Sequence, residues 1–144
     1  MRFFFYGTLM AESGNAAARL HSRLRPLGTG VTRGRLYALA DPHGWYPVLV
    51  PGRGEVRGMI YEAMYGFARQ DLAAMDAYED CDPARPLQSL YLRKPVPVRA
   101  GGQSGGEAYA YIYNLPLMRG ALRIGGGNFA RWLERRGGKA FAGS

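Results

Sequence analysis

The sequence predicts an α+β domain built on a mainly antiparallel sheet or small barrel, with a few short helices. Three observations carry this. Six or so short segments rich in aromatic and β-branched residues are punctuated by Gly and Pro, of which the chain has 21 and 9. Only three segments show helical spacing. The 144 residues, 47% of them apolar, suffice for one compact domain and its core.

The elements follow in order. Arg2–Tyr6 reads as a buried aromatic strand that ends at Gly7-Thr8. A helix is expected from about Asn15 to Leu24, where Ala16, Leu20 and Leu24 recur every four residues, with Ser13 or Asn15 as its cap. Leu27–Ala40 is strand material broken at Gly34, Tyr46–Val50 a short strand, and Glu55–Met64 a longer one. Gln70–Asp80 is the second helix. Leu92–Val98 and Glu107–Tyr113 are strands around the Gly-rich turn Ala100–Gly106. In the second of them Ala108, Ala110 and Ile112 alternate with Tyr109, Tyr111 and Tyr113, which gives the strand two unlike faces. Asn128–Arg135 is a last helix, capped by Asn128 and closed by Gly137. Residues 1–136 are read as one domain, and 137–144, basic and rich in small residues, as a flexible tail.

Composition narrows the function. One cysteine, Cys81, permits no intrachain disulfide and suits a reducing compartment. No apolar run approaches a membrane span, and the apolar start is too short for a signal-peptide core, so a cytoplasmic protein is expected. The formal charge of +8 favours anionic partners. Its arginines are scattered, however, with only Arg131, Arg135, Arg136 and Lys139 grouped, and no nucleic-acid motif accompanies them. This argues for a solvated surface. His21, His43 and Cys81 lack metal-ligand spacing, Ser13 and Ser22 sit in no nucleophile elbow, and Gly125-Gly126-Gly127 lacks the Lys of a phosphate loop.

Three features bear chemistry. Glu79 follows Leu72 by seven residues and Met75 by four, so in an unbroken helix it shares their buried stripe. A carboxylate there is raised in pKa and able to take and return a proton near neutrality. Spacing supports equally a helix that frays first and leaves Glu79 in water. Tyr6-Gly7-Thr8-Leu9 ends the first strand with a turn whose free N–H groups can cradle an anion, although alone it is better read as an ordinary strand-ending turn. Tyr91, Tyr109, Tyr111 and Tyr113 can line a pocket, but most such residues simply pack on a core.

Taken together, Phe4-Phe5-Tyr6-Gly7-Thr8-Leu9-Met10, Tyr46-Pro47-Val48-Leu49-Val50-Pro51-Gly52, Val56-Arg57-Gly58-Met59-Ile60-Tyr61-Glu62, Met75-Asp76-Ala77-Tyr78-Glu79, Tyr91-Leu92-Arg93 and Ala110-Tyr111-Ile112-Tyr113 resemble, in order, the signatures of the γ-glutamylcyclotransferase-like (AIG2-like) family. The resemblance implies a small mixed, mainly antiparallel β-barrel flanked by short helices. It implies Glu79 as the catalytic residue, and a small γ-glutamyl substrate held by Tyr6, Gly7, Thr8, Leu9 and Tyr111. The reaction it implies is cyclisation of a γ-glutamyl group to 5-oxoproline, which needs neither metal nor organic cofactor. Thr8 and the segment after Glu79 resemble the γ-glutamylamine cyclotransferase branch, while the long spacer from Asp80 to Leu90 departs from the pattern and bears on substrate choice. The alternative is a non-catalytic module on the same fold that binds a small acidic ligand.

Overall fold

The computed structural model describes residues 1–7 and 22–137. Six strands form one sheet: β1 (Arg2–Phe5), β2 (Leu24–Asp41), β3 (Gly44–Ala63), β4 (Tyr91–Ala100), β5 (Gln103–Tyr113) and β6 (Leu122–Arg123). Their order is β3-β1-β5-β4-β2-β6, and β3 also pairs with β2, so the pairings run round a closed ring of five strands with β6 attached. Only β1 and β5 run parallel; the other pairings are antiparallel. Among the described residues two helices, α1 (Arg69–Tyr78) and α2 (Phe129–Arg136), flank the ring, and a short 3-10 turn spans Pro86–Gln88. This is the mixed, mainly antiparallel α+β architecture expected from the sequence.

The two-faced strand explains the packing. Ala108 and Ala110 of β5 join Phe4, Leu36, Leu49, Val56, Ile60 and Phe129 in one buried cluster. Tyr111 and Tyr113, pointing the other way, join Phe3, Phe5, Met75 and Tyr91 in a second. The first cluster includes α2, and the second includes α1. The small alanines of β5 thus leave room for large side chains opposite them, and its tyrosines face the helix that carries Glu79.

Several boundaries differ from the sequence reading. The segments Tyr46–Val50 and Glu55–Met64 are one strand. Arg33 pairs with Glu55 and Arg35 with Val50, so residues 51–54 bulge out of a continuous ladder. Gly34, the expected break in β2, is the matching irregularity on the partner strand. The turn between β4 and β5 is confined to Gly101 and Gly102, with Gly105 and Gly106 inside β5. Only the end of the helix expected from Asn15 to Leu24 is described: Ser22 and Arg23 form a turn, and Leu24 opens β2. Ser13, Asn15 and the bulk of that helix lie outside the described residues, as do residues 138–144 of the expected tail.

The last helix starts and stops as its sequence dictates. Asn128 accepts the Arg131 N–H through its side chain, and Gly137 closes the helix at φ 62°. Gly127, also left-handed at φ 65°, lies so close to β3 that a Cβ there would overlap the Glu55 carbonyl. Its carbonyl accepts the Arg57 N–H at 2.7 Å. Arg136 stacks on Trp45 and Trp132, at 5.2 and 5.0 Å from their ring centres, so part of the C-terminal basic group helps to fix the helix. Among the described residues no helix is long and apolar enough to cross a membrane.

Candidate functional site

The site is built on the end of α1. Asp71, in the first turn, accepts the Ala68 N–H at 2.8 Å and pairs with Arg23, which ties the helix start to the entrance of β2. The helix stops at Tyr78, two residues before the predicted end, and Glu79 is its C-cap. Asp80 takes a left-handed conformation, φ 49°. The Cys81 N–H then donates to the Asp76 carbonyl at 2.8 Å, and the Asp80 N–H to that of Ala77 at 3.2 Å. This is the Schellman pattern, with an aspartate where glycine is usual.

Glu79 therefore lies neither within the helix nor in a frayed end. It is half-buried. Burial, with the neighbouring Asp80 charge second, pushes its carboxyl pKa from the ordinary 4.5 up to about 7. The helix C-terminus, which carries partial negative charge, opposes a carboxylate in the same direction. Met75, one turn earlier, is fully buried, and Leu72 is half-buried against the same cluster.

Three tyrosines, Tyr6 after β1, Tyr91 of β4 and Tyr111 of β5, are near enough to feel this carboxyl. Glu79 contributes to raising the pKa of Tyr6, Tyr91 and Tyr111, in each case behind desolvation. All three are neutral phenols at physiological pH with their hydroxyls already engaged. Tyr6 donates to the Tyr111 carbonyl and accepts the Leu49 N–H at 3.3 Å. Tyr91 donates to the Pro47 carbonyl at 2.9 Å. Tyr111 donates to Asp76 Oδ1 at 2.7 Å.

Asp76 is buried and doubly held, with Arg93 Nε at 2.9 Å from Oδ1 and Arg93 Nη2 at 3.3 Å from Oδ2. The Arg93 guanidinium in turn lies 5.3 Å from the Tyr109 ring centre. The buried charge of Asp76 is thus compensated by a forked partner and a phenol. Reading single residues misses this pair. Its signal is two opposite charges inside short motifs, Asp76 before Glu79 and Arg93 after Tyr91.

Of the residues predicted for the site, the structure groups Glu79, Tyr6 and Tyr111, and places Gly7 directly after Tyr6. A Cβ on Gly7 would stand 3.0 Å from Pro47 Cγ, so the turn packs closely on β3. Thr8 and Leu9 lie outside the described residues. Cys81 is buried with its thiol pKa pushed up, chiefly by desolvation, which suits packing rather than nucleophilic attack. Among the described residues no group of three or more His, Cys, Asp or Glu is arranged to hold a metal ion. The spacer after Glu79 is compact. Ser89, buried within it, accepts the Asp82 N–H through its hydroxyl, and Asn114 reaches across to the Pro86 and Ser89 carbonyls. One groove runs beside the spacer, lined by Asp76, Asp80 and Leu115 among others. A second lies beyond the Tyr6–Gly7 turn.

Comparison with known proteins bears on the family and the fold. The family model described as gamma-glutamyl cyclotransferase, AIG2-like, matches residues 3–133. A gamma-glutamylcyclotransferase family protein, YtfP, of Citrobacter rodentium is 32% identical over 136 residues, 94% of this chain and 97% of its own length. Its Escherichia coli K12 counterpart is 31% identical, with 94% and 98% covered. Among solved structures, an uncharacterized protein of Pyrococcus horikoshii superposes with a TM-score of 0.63 at 17% identity, over 95% of this chain and 96% of that one. A gamma-glutamyl cyclotransferase superposes with a TM-score of 0.52 at 16% identity, over 78% and 66%. At these identities the structural likeness speaks for the fold alone.

Proposed function

Because the chain belongs to the gamma-glutamyl cyclotransferase, AIG2-like family, we propose that it cyclises the γ-glutamyl group of a γ-glutamyl amine or peptide to 5-oxoproline and releases the amine. The observation that carries this reading is Glu79: a carboxyl with its pKa raised to about 7, set among neutral tyrosines.

The reaction is an intramolecular acyl transfer. The substrate α-amine is protonated at neutral pH and must lose a proton before it can attack. Glu79 takes that proton. The α-nitrogen bonds to the γ-carbonyl carbon and sheds its second surplus proton, the bond from that carbon to the leaving nitrogen breaks, and both protons end on the leaving nitrogen, Glu79 delivering the one it took, so that the amine departs as an ammonium ion. A carboxyl that titrates near the working pH exists in both forms and serves both steps. Ring closure depends on holding the substrate folded, so positioning carries much of the rate.

Backbone N–H groups of Gly7, Thr8 and Leu9 are assigned to the substrate α-carboxylate or the developing oxyanion. Tyr6 and Tyr111 form the wall. Their hydroxyls are committed to the protein, so they shape the pocket rather than transfer protons. Asp76, locked by Arg93 and Tyr111, holds the last turn of α1 against the sheet and so positions Glu79.

The testing experiment incubates the purified protein with γ-glutamyl amines, γ-glutamyl dipeptides and glutathione and measures 5-oxoproline. Release from at least one class, abolished by Glu79→Gln, is expected. No release from any class would leave a binding module as the better reading.

A further inference from the structure

Of the groove beyond the Tyr6–Gly7 turn, this mechanism uses only Tyr6 and Gly7 at its edge. The groove encloses about 890 Å³ between β2, β3, the β4–β5 turn and the start of α2. Arg57, Arg99 and Arg131 line it, and among the described residues the one acid in its wall is Glu55. Glu55 is ion-paired with Arg99. Arg57 and Arg131 are exposed and have no ion-pair partner among the described residues. Val31 of β2 stands opposite both Arg57 of β3 and Arg99 of β4. Side chains directly opposite one another in a sheet share a face, so these two arginines rise on the same side, flanking Val31.

The groove adjoins the candidate active site. In the sheet β1 lies between β3 and β5. Tyr91 and Tyr111 stand on the β4 and β5 side of β1, and the groove on the β3 and β2 side. Tyr6 and Gly7, at the end of β1, line the groove themselves. Tyr6 thus borders both sites: it lines the groove, and the charge of Glu79 helps to raise its pKa.

We propose that this groove receives the leaving group and that Arg57 and Arg131 select leaving groups bearing a carboxylate, so that acidic γ-glutamyl peptides are preferred to cationic γ-glutamyl amines. The inference rests on the reading of the site as a cyclotransferase centre. A leaving amine with a second ammonium group would enter a wall that carries two uncompensated positive charges. An acidic one meets complementary charge and two guanidinium donors.

The test compares three substrates by 5-oxoproline release: γ-glutamylglutamate, γ-glutamylalaninamide and the mono-γ-glutamyl conjugate of 1,4-diaminobutane. The expected kcat/KM for the first exceeds that for the second by about tenfold, the scale of two exposed charge contacts, and the third ranks last. In the Arg57→Gln/Arg131→Gln protein the ratio of first to second should fall to within about twofold, and molar salt should narrow it in the unmodified protein. A ratio that is the same in both proteins overturns the inference and leaves the cyclotransferase reading intact. If none of the three yields 5-oxoproline, and glutathione yields none either, that reading falls, and calorimetry still reports on the groove. There, Glu79→Gln should bind γ-glutamylglutamate about tenfold more tightly than the triple variant Glu79→Gln/Arg57→Gln/Arg131→Gln, and equal affinities would overturn anion recognition as well.

Discussion

Replacing Glu79 with glutamine should make the protein more stable and nearly inactive, and the two effects share one cause. The carboxyl titrates at about 7 in the folded chain against an ordinary 4.5. Between those values the folded state binds more protons than the unfolded state, so stability falls as pH rises through the window. Below about pH 4.5 both states are protonated and Glu79 costs nothing. Above about pH 7 the folded chain carries a charge it holds poorly. At about 1.4 kcal/mol per pH unit, the interval corresponds to a cost of at most about 3.5 kcal/mol, less whatever water recovers at a half-buried position. Glutamine keeps the shape and has no charge to desolvate. The stability difference between Glu79→Gln and the unmodified protein should therefore rise from near zero at pH 4 to roughly 2–3 kcal/mol at pH 8. For a chain of this size that is a Tm difference of up to about 10 °C. Urea unfolding at each pH measures it. Parallel curves for the two proteins across the whole range would refute the claim that Glu79 is desolvated.

The kinetic half uses the same variant. Single-turnover formation of 5-oxoproline should slow by roughly two to four orders of magnitude, the usual contribution of a positioned acid/base. In the unmodified protein the rate should rise with pH to a plateau above about 7, as the base form of Glu79 accumulates; the residual rate of the variant should lack that limb. Substrate binding by calorimetry should survive. Near-normal turnover by Glu79→Gln would refute the mechanism.

Three further outcomes are expected. Asp76→Asn loses the charge that compensates Arg93 and weakens the acceptor for Tyr111; it should cost about 3–5 kcal/mol in urea unfolding but less in single-turnover rate than Glu79→Gln, and an equal kinetic loss would place Asp76 in the proton path. Gly7→Val pushes a branched side chain towards Pro47, whose ring stands 3.0 Å from where a Cβ would be; kcat/KM should fall by more than stability does, and unchanged kinetics in the folded variant would make the turn purely structural. Prolonged chelation should leave 5-oxoproline release unchanged, because the chemistry needs only a proton shuttle; loss with chelator and return with a divalent ion would refute that.

The ring of strands was largely legible because its signals are local. Alternation of alanine with tyrosine in β5 reports two faces, and these became the two buried clusters. Asn128 and Gly137 marked the ends of α2 through cap chemistry that involves only neighbouring residues. What failed was long-range. Pro51-Gly52-Arg53-Gly54 has the composition of a turn that separates two strands. Because the flanking residues both pair with β2, it is a bulge in one strand. No local propensity distinguishes those outcomes; the partner strand decides. Strand β6, two residues long, is held by pairing with Tyr37 and Ala38 and carries no periodicity of its own.

The site was legible to a different degree. Helical spacing put Glu79 on the buried stripe only if the helix continued to Asp80. The helix stops earlier because Asp80 adopts a left-handed conformation with no glycine to announce it. That conformation is unfavourable for a residue with a side chain, by roughly 1–2 kcal/mol. The Cys81 and Asp80 N–H bonds back into the last turn offset part of this cost, as does burial of Cys81. The consequence is chemical. An aspartate at this corner adds its own negative charge beside Glu79, where a glycine would add none. The Asp80 charge that a stability argument would remove thus favours a protonated Glu79, and a helix ending in glycine would hold a more acidic, less basic carboxylate. Asp80→Gly should accordingly relieve the turn and move the acid limb of the rate profile to lower pH, the opposite of a trade in which the stabilised variant keeps its chemistry unchanged.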